Sequence, residues 1–346
     1  MKILHILASD KFSGAENVVC QIISMFSSDG SVDMVYCSPD GAIREALSER
    51  GVSFAPVEKL SAKEIKRVIK EEQPDVIHAH DMRATFVASL VCGKRPLISH
   101  IHGNFLDLNR ISPKSLTYTA AALKAKHIFW VSKSSYDEYV FKSLVKNKSS
   151  VLYNVIDTEA LYRKMQLDER SYSYDAVYVG RLTEPKNPER LIRVLKLLSE
   201  RIPDVRVAVV GTGNLEEKTK ALASEMKLEE NIDFLGFVSN PLKIMHDSKV
   251  MIMTSIREGT PMCALEAMAL GLPIVNTPTD GMRELVSGGE TGYLSDDDAE
   301  LADRLAEIIG NENLRGNLSA KTRAISMDYN NLGIYKAKIS EAYASK

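Results

Sequence analysis

The sequence has little cysteine and no long apolar segment. Its four cysteines are scattered along 346 residues without CxxC spacing: Cys20, Cys37, Cys92 and Cys263. This scatter gives no support to a cysteine-based metal or redox site. No apolar run approaches the roughly 20 residues that span a bilayer, and Asp10 and Lys11 interrupt the apolar start too early for a secretory leader. We therefore expect a cytoplasmic protein with reduced cysteines.

The chain also lacks a strong net charge, because 44 Lys and Arg oppose 46 Asp and Glu, which gives −2. Bulk charge therefore argues against a nucleic-acid-binding protein. The charges are unevenly distributed, however. The basic segment, defined as residues 83–150, holds eleven Lys or Arg and three Asp or Glu, a balance of +8, so the rest of the chain sums to −10. We expect any anionic partner, such as a membrane surface, to meet this segment.

The length suits two domains of roughly 150 to 180 residues each. In the first half, short apolar runs alternate with amphipathic segments. The predicted strands are Lys2–Leu7, Val32–Cys37, Ser53–Pro56, Asp75–His78, Leu97–His102 and His127–Val131. The predicted helices between them include Ala15–Phe26, Ala42–Arg50 and Ala62–Glu71. Such alternation with short connections predicts an α/β fold with a parallel sheet covered by helices on both faces.

The alternation is lost over Tyr153–Tyr174, a polar, tyrosine-rich stretch where we place a domain boundary. It resumes with predicted strands Ala176–Val179, Arg206–Val210, Ile232–Leu235 and Val250–Thr254, and only helices are predicted from Ala299 onward. The sequence thus predicts two Rossmann-like domains, residues 1–155 and 175–328, and a C-terminal helix in residues 329–346. In such sheets ligands bind outside the carboxyl ends of the strands, so two facing domains would form a cleft there.

The segment Ser255–Val275, SIREGTPMCALEAMALGLPIV, predicts a buried helix with an anion site at its start. Thr260 is expected to cap this helix and Pro261 to take its first position. Gly271 and Pro273 are expected to end it. The residues between are apolar on every side, which is typical of a buried helix.

Two glutamates mark this segment. Glu266 is the only charge inside the helix, and since burying an unpartnered carboxylate is costly, it must find hydrogen-bond donors. Glu258 lies just before the helix, beside free N–H groups that bind anions such as a diphosphate. There it would bind neutral hydroxyls next to the anion. In the alternative interpretation, Glu266 pairs with an internal arginine and Glu258 only stabilises the helix start.

A basic loop, Gly180–Pro188, follows the predicted strand Ala176–Val179 and precedes a helix that begins near Asn187. It carries Arg181 and Lys186. Arginine binds two phosphate oxygens with its forked guanidinium, and lysine adds a compact charge. A solvated loop is the alternative, but this loop and the Glu258 segment would both lie at strand ends of one sheet. That coincidence favours a phosphate site.

Together these motifs resemble the C-terminal half of a family 4 retaining glycosyltransferase of GT-B fold. GRLTEPKN at 180–187 precedes GTG at 211–213, LGF at 235–237 and EGTPMCALEAMALGLPIV at 258–275. In the first half, Ser13–Glu16 resembles the family's first glycine loop, with Ser13-Gly14 where many members carry two glycines. Pro74–His80 resembles its fourth strand and His102-Gly103 its active-site histidine turn. The resemblance covers roughly residues 1 to 343.

The resemblance implies a role for each candidate residue. Glu258 would hold hydroxyls of the transferred sugar, and His102 would hold a sugar hydroxyl near the reacting carbon. Arg181 and Lys186 would bind the diphosphate, and Glu266 the ribose. The candidate catalytic residues are those that would contact the transferred sugar or the leaving diphosphate: His102, Arg181, Lys186 and Glu258. The candidate donor-binding set is Gly14, Arg181, Lys186, Gly259, Met262, Cys263 and Glu266, where Met262 and Cys263 act through their N–H groups.

The resemblance also implies the reaction. A hexosyl or N-acetylhexosaminyl group would move, with retained configuration, from a nucleotide-sugar to a glycan or lipid-linked acceptor in bacterial cell-surface polysaccharide or glycoconjugate synthesis. The default nucleotide is UDP, with GDP as its rival. No metal and no other cofactor is expected. The first domain would bind the acceptor, the second the donor, and the C-terminal helix would cross back to the first domain. A sugar-nucleotide 2-epimerase of related fold and a non-catalytic sugar-nucleotide sensor are the alternatives.

Three weaker patterns have competing interpretations. His78 with His80, and His100 with His102, form HxH pairs that share a strand face, so a zinc site is conceivable, although strand ends at a ligand cleft explain them without metal. Asp296–Asp298 contains a DxD pattern of metal-dependent glycosyltransferases, but we expect it to cap the helix near Ala299. Gly211-Thr212-Gly213 after a strand could suggest a dinucleotide-binding dehydrogenase. That motif needs a third glycine where Glu216 stands, so the pattern fits it poorly.

The basic segment contains a predicted helix at Pro113–Lys126. Leu116, Ala120, Leu123 and His127 are expected on one face, with lysines elsewhere. One interpretation is an ordinary helix with a solvated charged face. The other is a surface that rests on the anionic inner face of a membrane, since members of the resembled family often act on lipid-linked acceptors.

Overall fold

The computed structural model describes residues 1–27 and 30–344 and divides into two compact units. The first unit comprises residues 1–154 with the C-terminal segment from Leu332, and the second unit is Val155–Asn331. The last two positions of the predicted C-terminal element, 345 and 346, lie outside the described residues. No helix in the described part of the chain is long and apolar enough to cross a membrane.

The first unit is built on a parallel sheet of seven strands in the order β3-β2-β1-β4-β5-β6-β7. The strands are β1 Lys2–Ile6, β2 Asp33–Pro39, β3 Phe54–Val57, β4 Val76–His80, β5 Leu97–Ile101, β6 His127–Trp130 and β7 Ser149–Val151. The helices are α1 Gly14–Phe26, α2 Ile43–Ser48, α3 Ala62–Glu72, α4 Asp81–Val91, α5 Pro113–Lys124, α6 Lys133–Asp137 and α7 Lys142–Val145.

The second unit repeats this plan with six parallel strands in the order β10-β9-β8-β11-β12-β13. They are β8 Ala176–Val179, β9 Val207–Val210, β10 Ile232–Gly236, β11 Val250–Met253, β12 Ile274–Asn276 and β13 Gly292–Leu294. The helices are α8 Thr158–Gln166, α9 Pro188–Arg201, α10 Glu216–Glu225, α11 Leu242–Asp247, α12 Met262–Leu270, α13 Asp280–Leu285, α14 Asp298–Gly310 and α15 Glu312–Tyr329. The predicted α/β class with two parallel sheets is confirmed.

The segment where the sequence pattern fades is folded. Val155 already belongs to the second unit, and α8 forms inside the stretch assigned to the boundary. The Asp157 side chain caps this helix by accepting from the Ala160 N–H at 2.9 Å. Only Leu161 and Met165 of α8 are buried. Two buried apolar residues four positions apart are too few to show a helical period in the sequence.

The C-terminal helix α16, Leu332–Ala344, belongs to the first unit and packs against α1. It covers one face of the first sheet, where the Tyr343 hydroxyl lies 2.7 Å from His78 Nδ1. The opposite face carries aliphatic side chains such as Leu4 and Ile77, which pack under other helices. Successive strand residues alternate between faces, so one face is aliphatic and the other is rich in histidine.

Candidate functional site

Three glycine-containing loops are joined by backbone hydrogen bonds at the carboxyl ends of β8, β9 and β10. The Gly180 N–H donates to Val210 O at 3.0 Å, and the Gly211 N–H donates to Gly236 O at 2.7 Å. A Cβ added at Gly211 would lie 2.0 Å from Gly180 O, and one at Gly213 2.1 Å from Leu182 O. Since φ of Gly211 is also +132°, only glycine fits there. This packing fixes the backbone of the basic loop.

The basic loop presents its two cations differently. The Arg181 side chain is exposed, whereas Lys186 is half-buried at the end of a short 3-10 turn, Glu184–Lys186. Asn187 follows with φ of 50°, and its side chain accepts from the Arg190 N–H at 3.3 Å. This cap starts α9 at Pro188, in agreement with the prediction near Asn187.

Lys186 and Glu258 form an ion pair. The Lys186 ammonium contacts Glu258 Oε1, and the Ser255 hydroxyl donates to the same oxygen at 2.6 Å. The Glu258 side chain is only 8% exposed. Sequence reasoning predicted both charged residues but missed Ser255. Its only signal is the S-x-x-E spacing directly after a strand, which is shared with ordinary helix starts.

The predicted start of α12 was wrong by one residue. The helix begins at Met262, and Pro261 with ψ of 128° occupies the cap position that was assigned to Thr260. The Ala264 N–H donates to Pro261 O at 3.1 Å, so the carbonyl of Pro261 is the first acceptor of the helix. Proline at the cap leaves Met262 and Cys263 as the first helical residues, whose N–H groups have no acceptor within the helix. The helix ends at Gly271 with φ of 73°, as predicted.

Gly259 lies between Glu258 and α12 in a tightly packed loop. A Cβ added at Gly281 would lie 1.3 Å from Gly259 O, so Gly281 cannot carry a side chain without displacing this loop. The Gly281 N–H also donates to Glu258 O at 3.3 Å. The start of α13 therefore fixes the backbone that carries Glu258.

Glu266 is half-buried on α12, among buried neighbours such as Leu265 and Ala267. Burial raises the pKa of its carboxyl to about 7, against the opposing charge of Lys164. Within the described residues, the side-chain charge that acts on this carboxyl is that of Lys164 and not that of an arginine. The internal arginine of the alternative interpretation is thus not found, and the carboxyl is available to a ligand.

The Asp296–Asp298 pattern caps a helix and binds an arginine. The Asp297 side chain accepts from the Glu300 N–H at 2.9 Å at the start of α14. Arg190 contacts Asp298 Oδ1 at 2.6 Å and Asp296 Oδ1 at 2.8 Å. The cap prediction is confirmed, and two of the three carboxylates already have a cationic partner.

In the first unit, His102 follows β5 directly and is half-buried. Its Nε2 lies 2.8 Å from His80 Nδ1, and its backbone N–H donates to Asp81 Oδ1 at 2.9 Å. Its ring also stacks on His100 with centroids 4.1 Å apart. Sequence reasoning identified His102 but missed Asp81.

The HxH residues lie in a row on the α16-covered face of the first sheet, together with His5. Burial lowers the pKa of His5 and His102 to about 3, and lowers the pKa of His78, His80 and His100 well below its usual value. These imidazoles are therefore neutral at physiological pH.

Two groups of three bring one nitrogen per ring within 4.8 Å: His5 with His78 and His80, and His80 with His100 and His102. The closest nitrogens are 2.8 and 3.0 Å apart. Two ligands of tetrahedral zinc lie about 3.3 Å apart at Zn–N distances of about 2.0–2.1 Å. The observed spacing is that of direct N–H···N hydrogen bonds.

Gly14 is the first residue of α1, directly after Ser13 at its cap. The Ser13 hydroxyl donates to Glu16 at 2.5 Å. A Cβ added at Gly14 would meet no atom within 4 Å, so the packing of the first unit does not require glycine there. The candidate residues are thus divided, with Gly14 and His102 in the first unit and the others in the second.

Two family models match the chain. Residues 12–160 match Glycosyltransferase Family 4, and residues 164–325 match Glycosyl transferases group 1. An N-acetylgalactosamine-N,N'-diacetylbacillosaminyl-diphospho-undecaprenol 4-alpha-N-acetylgalactosaminyltransferase of Campylobacter jejuni is 31% identical over 67% of this chain and 64% of its own length. A UDP-Gal:alpha-D-GlcNAc-diphosphoundecaprenol alpha-1,3-galactosyltransferase of Escherichia coli is 24% identical over 85% of this chain and 84% of its own.

The alignments with three curated glycosyltransferases, from Methanocaldococcus jannaschii, Haemophilus influenzae and C. jejuni, cover 60%, 44% and 64% of those proteins, less than two thirds of each. Among solved structures, Anabaena Alr3699/HepE in complex with UDP has a TM-score of 0.85 at 22% identity, covering all of both chains. The two adjacent family models and the shared fold lead to one conclusion: the chain belongs to the family 4, or group 1, glycosyltransferases of GT-B fold.

Proposed function

We propose that this protein transfers a hexosyl or N-acetylhexosaminyl group from a UDP-sugar to a glycan or lipid-linked acceptor, with retention of configuration and without a metal ion. The observation that carries the proposal is the contact of Lys186 and Ser255 with Glu258, four residues before the N-terminus of α12. Cation, carboxylate and helix start are thus held together where a sugar diphosphate would bind.

The proposed chemistry uses the charges of the second unit. When the bond between the sugar carbon and the diphosphate breaks, positive charge develops on the ring and negative charge on the leaving group. Arg181, Lys186 and the N–H groups at the start of α12 would stabilise the leaving diphosphate, and preorganised donors of this kind contribute about 3 to 4 kcal/mol each. Glu266, half-buried on α12 with the charge of Lys164 acting on its carboxyl, would accept from the ribose hydroxyls.

Glu258 would bind the transferred sugar rather than attack it. Its Oε1 already accepts from Lys186 and from Ser255, which leaves Oε2 to accept from sugar hydroxyls. In the step implied by the family, the acceptor oxygen forms its bond to the sugar carbon on the face from which the diphosphate leaves. The proton of the acceptor hydroxyl goes to the departing phosphate oxygen. His102 would hold a sugar hydroxyl near this carbon.

The relatives support the donor and acceptor classes. The E. coli enzyme's name gives a UDP-sugar donor, and both bacterial names give an acceptor on diphospho-undecaprenol. Anabaena Alr3699/HepE has been crystallised with UDP-glucose. We extend these classes to this chain, and with them a place in bacterial cell-surface polysaccharide or glycoconjugate synthesis.

The outer face of α5 supports a membrane-facing acceptor site. Leu116 and Leu123 are 52% and 51% exposed, and Ala120 between them is exposed. Ile111, just before the helix, is 70% exposed. Exposed apolar side chains within the basic segment suit an anionic lipid surface. The prediction that His127 extends this face was wrong, because α5 ends at Lys124 and His127 belongs to β6.

Product analysis tests the reaction. A thermal-shift screen of UDP- and GDP-sugars selects the donor, and the donor is then incubated with lipid-linked or glycan acceptors and followed by NMR. We expect release of UDP and a glycoside with the donor's anomeric configuration. An epimerised nucleotide would instead identify an epimerase, and binding without turnover a sensor. An inverted product or no binding of any nucleotide-sugar would contradict the proposal.

Co-sedimentation tests the membrane surface. We expect binding to phosphatidylglycerol vesicles at low salt that is lost as salt rises, because charges on the surface are screened. Arg110→Glu with Lys133→Glu, both exposed, should abolish it. Lys196→Glu with Lys321→Glu makes the same charge change in the second unit and should leave it intact. Equal binding to neutral vesicles would contradict the proposal that charge attracts this surface to the membrane.

A further inference from the structure

Two consecutive residues of the first unit hold His102 at two separate points. His80, the last residue of β4, contacts the ring of His102 through its Nδ1 at 2.8 Å from Nε2. Asp81, the next residue, accepts from the backbone N–H of His102 at 2.9 Å. One bond fixes the ring and the other fixes the main chain that carries it.

The backbone at this point is strained. Asp81, the first residue of α4 and directly after β4, has φ of 66°, in the left-handed region that non-glycine residues rarely adopt. Strained backbone of this kind persists where the surrounding structure requires it, and it is common at functional sites. Here the conformation turns the Asp81 carboxylate toward the turn after β5.

His80 is itself held by a hydrogen bond at its second ring nitrogen. Its Nε2 lies 3.0 Å from His5 Nδ1, so His5, His80 and His102 form a chain of two N–H···N hydrogen bonds. A neutral imidazole has one N–H and one bare nitrogen. All protons in the chain therefore point toward His102 or all point toward His5. In both cases Nε2 of His102 is occupied, and Nδ1 is its only nitrogen for a ligand.

His100 provides an internal comparison. It is as deeply buried as His80 and stacks on His102 more closely than His80 does, with centroids 4.1 against 5.0 Å apart. Within the described residues, however, neither ring nitrogen of His100 has a hydrogen-bond partner. Burial and stacking are therefore shared by the two residues, and the hydrogen bond to His102 is specific to His80.

We propose that His80, together with Asp81, is a positioning residue for His102: it presents Nδ1 of His102 to the sugar and determines whether this nitrogen donates or accepts. The inference rests on the proposed role of His102 in sugar transfer. It predicts that His80 affects turnover through the His102 ring, without contact with the nucleotide.

Matched substitutions test the hydrogen bond. Asn and Leu have similar shapes, and the Asn amide places a polar atom where Nδ1 of His80 stands. We expect His80→Leu to lower kcat at least tenfold with little change in donor KM, and His80→Asn to recover most of that loss. His100→Leu, the burial control, should stay within threefold of the wild type. Equal loss in His80→Leu and His100→Leu, or no recovery with Asn, would overturn the proposal.

A second pair of variants serves if His80→Leu does not fold. Asp81→Gly removes the acceptor and relieves the positive φ, whereas Asp81→Asn keeps an oxygen acceptor and tolerates the left-handed region. We expect a large loss of kcat in the glycine variant and a small one in the asparagine variant. The reverse order would contradict the proposed role of the hydrogen bond from the His102 N–H to Asp81.

Imidazole ¹⁵N spectra separate this inference from the proposed reaction. In the wild type, we expect His102 to be neutral with its proton on a single nitrogen, and His80→Asn to retain one tautomer. His80→Leu should give averaged shifts for the two nitrogens. Unchanged His102 signals in His80→Leu would overturn the positioning role, even if sugar transfer is confirmed. A wild type that transfers no sugar but shows these spectra would overturn only the proposed function.

Discussion

The two units share one architecture but use opposite chemistry at the ends of their strands. Six of the seven histidines are in the first unit: His5, His78, His80, His100, His102 and His127. The candidate groups of the second unit are charged, with Lys186 paired to Glu258 and Arg181 exposed. The first unit thus offers neutral imidazoles, and the second offers ions and a helix N-terminus.

This difference follows the proposed division of labour. A departing diphosphate carries negative charge that fixed cations stabilise, so the donor side needs ions. A sugar hydroxyl beside the reacting carbon needs a donor or acceptor without a full charge, which a buried neutral histidine supplies. The same sheet can provide either, because the loops after its strands and not its core determine the chemistry.

The largest expected effect is selective acid unfolding of the first unit. Buried histidines with lowered pKa values stabilise the folded state above pH 6.5, and this stability is lost as pH falls below it. Below that pH the unfolded chain binds protons at these imidazoles while the buried rings stay neutral, so His5, His78, His80, His100 and His102 all lower the free energy of unfolding as pH falls. Trp130, the only tryptophan, is buried in the first unit and reports its unfolding by fluorescence.

We expect the fluorescence transition at higher pH than the loss of the remaining helical circular dichroism. His100→Leu has one buried imidazole fewer, so its fluorescence midpoint should lie at lower pH. If the fluorescence and circular dichroism transitions coincide, or if the first unit is still folded at pH 4, the expected difference in acid stability between the two units is wrong.

A smaller effect is expected at the cations of the second unit. Arg181→Ala or Lys186→Ala should weaken UDP binding at least tenfold, about 1.4 kcal/mol, because each removes a charge from the proposed diphosphate site. Lys196→Ala removes a lysine on α9 that pairs with Glu200 and should leave affinity unchanged. Calorimetry measures both. Unchanged affinity in the Arg181 and Lys186 variants would place the diphosphate elsewhere.

The smallest expected effect is that of chelation. Asp296 and Asp298 are bound to Arg190, so we expect EDTA to leave transfer activity unaltered. Loss of activity in EDTA that returns with manganese or magnesium would show that these carboxylates, or the histidine row, hold a required metal. The description of the first unit as neutral and of the second as ionic would then have to be revised to include a bound metal ion.

Much of the fold followed from sequence periodicity. Six strands of the first sheet stand out as short, mostly apolar runs between turns, and their observed bounds lie within two residues of the predicted ones. Three strands had no such signal: β7, β12 and β13 are three residues each, too short to show a period. Their pairing depends on the sheet already formed, a tertiary effect that no local pattern records.

The candidate site was partly predictable for a similar reason. Arg181, Lys186, Glu258 and Glu266 stand in two short motifs, and charge beside a strand end or inside an apolar helix is visible in the sequence. The contact between Lys186 and Glu258 joins residues 72 positions apart, so only the fold reveals it. The bond between Asp81 and His102 was hidden as well, since an aspartate after a strand is common in any loop.

The two glutamates decide whether the second unit binds a nucleotide-sugar with Glu258 at the sugar and Glu266 at the ribose. UDP is titrated calorimetrically into Glu258→Gln and Glu266→Gln, and turnover is measured in parallel. Glu258→Gln should reduce turnover strongly and leave UDP affinity nearly intact. Glu266→Gln should weaken UDP and the full donor alike by about 1.5 to 3 kcal/mol, the loss of a hydrogen bond to a charged group. If Glu258 instead governs UDP affinity and Glu266 only turnover, the donor binds in the opposite direction and the account is wrong.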